Sequence, residues 1–405
     1  MKSHFTSKFF VGNRARLRRA YDDGLIVVTA NGLLQRGADS AYGFAQDANF
    51  WYLTGIDEPD IILVIDGDDE YLILPKQSDY QKIFDGAAPA SGLTKRSGVK
   101  MIYGHDEGWR RLAAGLKKAH RLSTIVPPPV YVDLYGMYTN PARISLLEKL
   151  KSHRSKLKVE DLTARLALQR MIKQTEEVAA IRSAIDITTA SLQDAFKLKY
   201  KNEYELEAEI TAGFRRRGAS GHAFAPIVAA GKRACTLHNV ANDAPVNRGD
   251  AVVVDVGAEE EHYAADITRT VVFERPSARQ LAVYDAVLTV QKFAVDLLRP
   301  GVSFEDYRDQ TDRLMGEKLR ELGLIKSIAQ KNIRKYYPHS ISHFMGLNVH
   351  DAGDYGQPLQ TGMILTVEPG IYIPEEDIGV RIEDDILITE EGCEILSDKL
   401  PRRLG

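Results

Sequence analysis

Five side chains that can bind a metal ion occur in the second half of the sequence. They are Asp255, Asp266, His343, Glu368 and Glu383. Four carboxylates and one imidazole suit a pair of adjacent divalent cations, because bridging carboxylates neutralise the charge and a neutral nitrogen tunes one ion. Provided that these groups meet in the folded chain, the sequence predicts a metal-dependent hydrolase.

The first two acids stand beside two apolar runs. Asp255 follows Ala251-Val-Val-Val254, so its carboxylate is expected at the end of a strand and partly buried. An unpaired buried carboxylate is costly, and a bound cation is one of the few ways to relieve that cost. Asp266 precedes a second β-branched run, and two strands joined by residues 258–265 are expected to bring both acids together.

Three histidines, at positions 339, 343 and 350, lie close together in the sequence. A lone histidine is usually a satisfied surface or core residue. Within a group, one imidazole can bind a metal while the others hydrogen-bond a substrate carbonyl or a tetrahedral oxyanion. This stretch is therefore a candidate for both metal binding and catalysis.

Two further motifs carry the remaining acids. Glu368 precedes Pro369-Gly370, which ends the predicted strand and places the carboxylate at its terminus. Arg381 and Glu383 are two residues apart in a predicted strand and so share a face. The alternative to a functional role for this pair is a salt bridge that contributes little to stability.

Composition restricts the class of protein. The chain has 405 residues, more than one hydrophobic core normally supports, so two domains are expected. A net charge of −3 argues against nucleic acid as the main partner. Two cysteines, Cys235 and Cys393, are too few for a disulfide framework and favour a reducing compartment. No apolar run reaches the ~20 residues of a membrane span, so no membrane partner is expected.

The basic N-terminus admits two interpretations. Residues 1–20 contain lysines and arginines but no acid, a composition also seen in organelle transit peptides. A helix over Arg14–Tyr21 is favoured, because serine is scarce and Asp22-Asp23-Gly24 would end such a helix. We therefore expect a cytoplasmic enzyme.

Short runs and helical spacing divide the chain into two domains, at residues 1–165 and 166–405. In the first, β-branched runs at 25–29, 61–65 and 71–74, alternating with turns and helical stretches, predict a mixed α/β domain. The second predicts an α+β pattern with strands at 251–256, 267–273, 363–368 and 380–389, and helices at 203–217, 278–298 and 304–322. The candidate ligands lie on or beside strands, whose rigidity suits a metal site.

Taken in order, the motifs resemble those of the Xaa-Pro aminopeptidase and prolidase branch of the pita-bread metallopeptidases. They are Asp-x10-Asp, Ser340-Ile-Ser-His-Phe-Met-Gly-Leu-Asn-Val-His-Asp351, Thr366-Val-Glu-Pro-Gly370 and Gly379-Val-Arg-Ile-Glu-Asp-Asp385. Residues 38–55, followed by Glu58-Pro59, are similar to the N-terminal domain of bacterial aminopeptidase P. The resemblance implies an α/β N-terminal domain followed by an α+β pita-bread metallopeptidase domain.

The resemblance also implies roles for individual residues. Two divalent ions, usually manganese in this branch, would be held by Asp255, Asp266, His343, Glu368 and Glu383 and would bridge a hydroxide that attacks the peptide carbonyl. Glu368 would also pass a proton to the leaving proline nitrogen.

Five more positions match residues that act on the substrate in this family. His238 matches a histidine near the scissile bond, and His350 would stabilise the tetrahedral intermediate, with Arg381 holding it in place. Asp39 matches an N-domain acid that completes this network. His339 matches a histidine lining the pocket for the residue after the bond.

Three departures from the family pattern concern the substrate end of the pocket. Gly43-Phe-Ala45 stands where Pro-Phe-Arg or Pro-Tyr-Arg is common, and Asn239 stands where tyrosine is common. The loop 371–378 is also shorter than usual. None of these changes touches a candidate ligand, so they bear on the preferred peptide length.

Removal of an N-terminal residue that precedes proline is the leading expectation, and an Xaa-Pro dipeptidase is the nearest alternative. The likeness over residues 38–55 favours the aminopeptidase. Non-catalytic binding proteins and metal-independent amidinohydrolases share the fold but lack acids that this chain keeps. Proline-containing peptides are the expected partners, with self-association as a homodimer or homotetramer.

Overall fold

A computed structural model describes residues 3–21, 24–86, 89–127, 134–156 and 158–404. The chain divides into two compact units. One is Phe5–Leu166, and the other is Ala167–Gly405 together with Met1–His4. Over the described residues, no helix has both the length and the hydropathy needed to cross a bilayer.

The N-terminal unit is a mixed α/β arrangement. The described helices are α1 Ser7–Arg19, α2 Ala48–Thr54, α3 Asp79–Asp85, α4 Ala90–Ser97, α5 His105–Lys118 and α6 Ala142–His153. The described strands are β1 Leu25–Thr29, β2 Gln35–Gly37, β3 Ser40–Ala41, β4 Ile62–Asp66, β5 Asp69–Ile73, β6 Met101–Tyr103, β7 Arg121–Thr124 and β8 Lys158–Asp161. Among these residues one sheet has the order β6-β5-β4-β1-β7-β8, and β2 pairs with β3 in a separate hairpin.

The predicted strands of this unit are confirmed within a few residues, and the first helix is longer than predicted. It begins at Ser7 rather than Arg14, because Phe9 and Phe10 are buried in an aromatic cluster. The ring centroids of Phe10 and Trp51 lie 5.4 Å apart, edge to face. The proposed stop at Asp22-Asp23 lies outside the described residues.

The main segment of the second unit begins within helix α7 (Thr163–Met171), at Ala167. Its other described helices are α8 Thr175–Ala195, α9 Glu203–Arg216, α10 Ala278–Leu297, α11 Phe304–Glu321 and α12 Gln330–Tyr336. Its described strands are β9 Gly221–His222, β10 Ile227–Ala230, β11 Val252–Val256, β12 Ala258–Glu260, β13 Tyr263–Ala264, β14 Ile267–Val271, β15 Ile364–Val367, β16 Gly370–Ile373, β17 Ile378–Arg381, β18 Asp384–Ile388 and β19 Cys393–Ile395.

Small antiparallel sheets hold the strands of the second unit. In the described chain they have the orders β10-β11-β14, β13-β12-β9, β15-β18-β19 and β16-β17. Helices α10 and α11 pack against the β16-β17 sheet, where Val287 and Leu319 lie in one buried cluster with Ile371 and Val380. This apolar layer, removed from water, provides the main driving force that keeps the strand ends in place.

The predicted strand at 380–389 is wrong in one respect, because the chain breaks it into β17 and β18. Strand β17 pairs with β16, whereas β18 pairs with β15. The chain therefore changes sheets at Ile382-Glu383. Glu383 lies at this junction rather than within a strand.

Candidate metal centre

The strands that carry Asp255 and Asp266 are neighbours, as predicted. Strand β11 pairs antiparallel with β14, and Asp255 stands opposite Thr268. The hairpin β12–β13 fills the connection between them. Gly257 permits the return of the chain, because a Cβ at this position would lie only 1.6 Å from the carbonyl oxygen of Ala265. Both acids are almost fully buried.

Strand β15 places Glu368 at its end and holds the segment that carries His343. The amide of Glu368 donates to the carbonyl of Ile341 over 2.9 Å, and the amide of Thr366 donates to the carbonyl of His343 over 3.0 Å. These two bonds set the imidazole and the carboxylate side by side. His343 Nε2 lies 3.5 Å from Glu368 Oε1.

Glu383 reaches the same place from the junction between β17 and β18. Its amide donates to the carbonyl of Thr268 over 3.0 Å, and Thr268 Oγ1 donates to Glu383 Oε2 over 2.6 Å. Possible ligand atoms of Asp266, His343 and Glu383 all lie within 4.8 Å of one another. His343 Nε2 is 3.4 Å from Asp266 Oδ2.

The electrostatics of this cluster are unfavourable without a cation. Burial raises the pKa of Asp266 well above its usual value, and the neighbouring Asp255 raises it further. Burial and Asp266 likewise raise the pKa of Glu383, and burial raises that of Glu368. The Oδ1 atom of Asp255 is buried without a hydrogen-bond partner in the described structure. Crowded, buried carboxylates of this kind fit divalent cations, whose positive charge offsets the repulsion.

The imidazole of His343 is oriented for ligation. Its Nδ1 lies 3.1 Å from the carbonyl oxygen of Phe344, so Nδ1–H is the donor and Nε2 keeps a free lone pair. Nε2 faces Asp266 and Glu368. A backbone carbonyl in this position is the usual partner that fixes the tautomer of a metal-binding histidine.

Arg381 is buried and contacts the centre through Asp255. Its guanidinium donates to Asp255 Oδ2 over 2.6 Å, to Tyr372 Oη over 2.9 Å and to Thr268 Oγ1 over 3.2 Å. Among the described residues no hydrogen bond joins Arg381 to His350, although the family resemblance led us to expect Arg381 to hold that ring. The expected role of Arg381 in holding His350 therefore stays a prediction.

His339 lies next to Glu368 and is kept neutral. Its Nδ1–H donates to the carbonyl of Ser340, so Nε2 accepts from Tyr372 Oη over 2.9 Å. Burial, followed by the charge of Arg381, lowers the pKa of His339 to about 3. The imidazole therefore remains uncharged at neutral pH.

His350 lies at the edge of the cluster. Its ring contacts that of His343 edge to face, with centroids 4.3 Å apart. Although solvent reaches His350, desolvation and then the nearby His343 lower its pKa to about 4. His238 is exposed and close enough for its charge to act on both His339 and His350.

Asp39 is exposed in the turn between β2 and β3 of the N-terminal unit. Its predicted part in the catalytic network therefore stays a prediction.

Sequence reasoning missed three residues that support the centre. Tyr372 joins Arg381 to His339, and Thr268 binds Glu383. Asp385 Oδ2 accepts from the amide of Asp266 over 3.1 Å. For Asp385 the sequence did hold a signal, the alternation of side chains along a strand. Glu383 and Asp385 are two residues apart, whereas Asp384 points to Arg269 on the other side.

Comparison with known protein families gives a consistent result. Residues 179–390, more than half of the chain, match the family model described as metallopeptidase family M24, and residues 10–125 match that of the aminopeptidase P N-terminal domain. The chain is 34% identical to Xaa-Pro aminopeptidase 3 of Homo sapiens, over 95% of this chain and 80% of that protein. It is also 34% identical to the Xaa-Pro aminopeptidase of Escherichia coli, over 91% of this chain and 89% of that protein.

A solved structure has the same architecture. The structure of Escherichia coli aminopeptidase P with the inhibitor Pro-Leu has a TM-score of 0.88, at 30% identity over 99% of this chain and 97% of that one. The predicted order, an α/β N-terminal domain followed by an α+β pita-bread domain, is thereby confirmed. The chain belongs to metallopeptidase family M24, in its Xaa-Pro aminopeptidase branch, and is a metallo-aminopeptidase.

Proposed function

We propose that the protein removes the N-terminal residue from peptides whose second residue is proline, using two divalent metal ions. The observation that carries the proposal is the convergence of Asp266, His343 and Glu383, whose ligand atoms lie within 4.8 Å of one another. Asp255 and Glu368 complete the set. We further propose manganese as the metal, a cytoplasmic location and self-association into dimers or tetramers.

The buried acids fit such ions. Asp255 offers an Oδ1 atom that lacks a hydrogen-bond partner among the described residues, while Arg381 holds its Oδ2. Burial and neighbouring carboxylates raise the pKa values of Asp266 and Glu383. A nearby positive charge would therefore stabilise the ionised form of both side chains. Divalent ions bound there would supply a hydroxide nucleophile near neutral pH and stabilise the developing oxyanion.

Each remaining side chain has a role in moving protons or holding substrate. Glu368 has a raised pKa because of burial, which suits a carboxyl group that takes up a proton and passes it to the leaving proline nitrogen. His350, neutral and reached by solvent, donates a hydrogen bond to the tetrahedral intermediate. His238 contacts the substrate near the scissile bond, and His339 lines the pocket for proline.

A dedicated enzyme is needed for this bond because proline lacks an amide N–H. General peptidases grip the substrate backbone through such groups, and the pyrrolidine ring removes this donor and fixes the backbone. A neutral imidazole at His339, held by Tyr372 and Ser340, presents a ring edge rather than a charge to the proline side chain.

Peptide hydrolysis tests the proposal. The manganese-loaded protein is given an Xaa-Pro-Xaa tripeptide, the corresponding Xaa-Pro dipeptide, and a control tripeptide with alanine in place of proline. We expect release of the first residue from the proline tripeptide, with little cleavage of the alanine control. Activity confined to the dipeptide would identify a prolidase instead, and the absence of cleavage of every peptide would contradict both assignments.

A further inference from the structure

A buried ionic cluster outside the metal centre consists of Arg170, Lys173 and Asp351, and we call it the clamp. Arg170 Nη2 donates to Asp351 Oδ1, and Lys173 Nζ donates to Asp351 Oδ2 over 3.2 Å. The three side chains are at most 2% exposed. Burial alone would raise the pKa of Asp351, but the two cations hold it below its usual value.

Asp351 closes the segment that carries two histidines of the site, residues 343–351, which we call the histidine loop. Its amide donates to the carbonyl of Phe344 over 2.7 Å, and its Oδ1 accepts from the amide of Asn348 over 3.3 Å. Asp351 therefore ties the end of the loop, directly after His350, back to the residue that follows His343. The imidazole rings of His343 and His350, one near each end of this loop, are in contact.

The loop is shaped around the carboxylate. A Cβ at Gly346 would lie 2.2 Å from Asp351 Oδ2 and 2.9 Å from Lys173 Cε, so only glycine leaves room for the clamp under the loop. The carbonyl of Gly346 accepts from the amide of Ala264, two residues before the ligand Asp266. The clamp thus lies beneath a segment connected to both histidines and to one metal-binding acid.

The clamp is also anchored away from the loop. The amide of Lys173 donates to the carbonyl of Gly362 over 2.8 Å, just before strand β15, which ends at Glu368. Lys173 Nζ also donates to the carbonyl of Arg170 over 2.9 Å. The two cations of the clamp are therefore held outside the histidine loop, to which Asp351 belongs.

Buried ion pairs are a poor source of stability, because the cost of desolvating the charges can exceed their attraction. A cluster of this kind is better explained by the geometry that it imposes. We propose that Asp351, held by Arg170 and Lys173, is a positioning residue that fixes the histidine loop and keeps the His350 ring beside His343. This inference rests on the proposed function, in which His350 acts on the tetrahedral intermediate.

A double-mutant cycle on the full, manganese-loaded chain tests the inference, with Asp351→Asn and His350→Ala and hydrolysis of the Xaa-Pro-Xaa tripeptide. Asparagine keeps the shape of the side chain and removes its charge. Asp351→Asn alone should lower kcat by about 10- to 100-fold, the range for groups that orient functional side chains, with little change in KM. With His350→Ala already present, the same change should lower kcat by less than about 3-fold, since the positioned ring is gone. Equal losses in both backgrounds would overturn the inference.

Glu70→Gln is the matched control. Glu70 is a carboxylate that also binds two cations, Arg14 and Arg18, but it lies in the N-terminal unit. In each background, Glu70→Gln should leave kcat equal to that of its parent, the unmodified chain or His350→Ala. If Asp351→Asn does not fold, Lys173→Gln removes one cation and leaves the Arg170 contact, and its smaller loss of kcat should likewise disappear with His350→Ala. Persistence of that loss would count against the inference.

A crystal structure of Asp351→Asn separates this inference from the proposed function. The His343 and His350 ring centroids, 4.3 Å apart here, should move apart in Asp351→Asn and stay in place in Glu70→Gln. Unchanged rings in Asp351→Asn would overturn the inference. Failure of the unmodified chain to cleave proline peptides would contradict the proposed function alone.

Discussion

The chemistry of the centre depends on which atom of each side chain is free. His343 uses Nδ1–H on the carbonyl of Phe344, which leaves Nε2 for a metal ion. Asp255 gives Oδ2 to Arg381, which leaves Oδ1 buried and without a partner among the described residues. An unsatisfied buried oxygen costs about 1–3 kcal/mol, more when it is charged, so a cation at this point stabilises the folded protein.

At the residue scale, Asp266→Ala should remove a ligand and leave the fold intact. We expect bound metal to fall and the kcat for proline peptides to drop by about 1000-fold or more, because the proposed nucleophile would depend on the ions. Because neighbouring carboxylates repel that of Asp266, its removal should leave the metal-free protein at least as stable as before. Elemental analysis, peptide hydrolysis and thermal unfolding measure these three quantities.

Asp285→Ala provides the control for that variant, because Asp285 is exposed on helix α10. It should behave as the unmodified chain in all three measurements. Near-normal hydrolysis by Asp266→Ala would remove Asp266 from the mechanism.

At the scale of elements, the approach of β11 and β14 is what brings the first two acids together. Asp255 is the penultimate residue of one strand and Asp266 precedes the other, and the turn that follows the first strand requires the chain to pass against Ala265. Gly257 therefore matters for its lack of a side chain.

Gly257→Ala should push the two strand ends apart. The added Cβ would overlap the carbonyl of Ala265, and overpacking of this kind costs about 1–3 kcal/mol or more. We expect a lower melting temperature and weaker manganese binding, measured by thermal unfolding and metal titration. Gly221→Ala, on neighbouring β9 with open space at its Cβ position, should change neither. Equal behaviour of the two variants would contradict this view of the turn.

A second prediction at this scale concerns helix α1 and strand β5 in the N-terminal unit. Burial would raise the pKa of Glu70, but Arg14 and Arg18 lower it below its usual value. The stabilisation is thus present above the unfolded pKa of about 4.3 and is lost as pH falls through the lower, folded value. Glu70→Gln should lower the free energy of unfolding by about 2 kcal/mol near neutral pH. The difference in this free energy from the unmodified chain should shrink below about pH 4.

Tryptophan fluorescence during urea unfolding measures that difference, because both tryptophans, Trp51 and Trp109, lie in the N-terminal unit. Asp69→Asn is the control, since its ion pair with Arg111 is exposed and should contribute little. A pH-independent difference for Glu70→Gln would contradict the assignment.

At the scale of the whole molecule, local patterns predicted the elements better than their partners. The β-branched run 25–29 became β1 with the predicted bounds, because its apolar side chains are buried on both faces. The break at Glu383 could not be predicted locally, since it depends on β17 and β18 pairing with different strands. Tyr372 was missed for a similar reason. Its run, Ile371-Tyr-Ile373, is typical of a core strand, and only the folded chain brings its hydroxyl to Arg381.

The candidate ligands themselves could be read from ordered motifs, because each acid stands at a strand end that the fold directs to one place. The supporting contacts could not be read in this way, since Thr268 meets Glu383 across more than a hundred residues of chain. The contact of Asp385 was not predicted, because this residue directly follows two other acids. Alternation along the strand nevertheless separates its face from that of Asp384.

Anomalous diffraction from crystals grown with manganese would locate the ions of the proposed two-metal centre. We expect two adjacent anomalous peaks, coordinated between them by Asp255, Asp266, His343, Glu368 and Glu383. A single peak, or peaks that none of these side chains coordinate, would contradict the two-metal proposal.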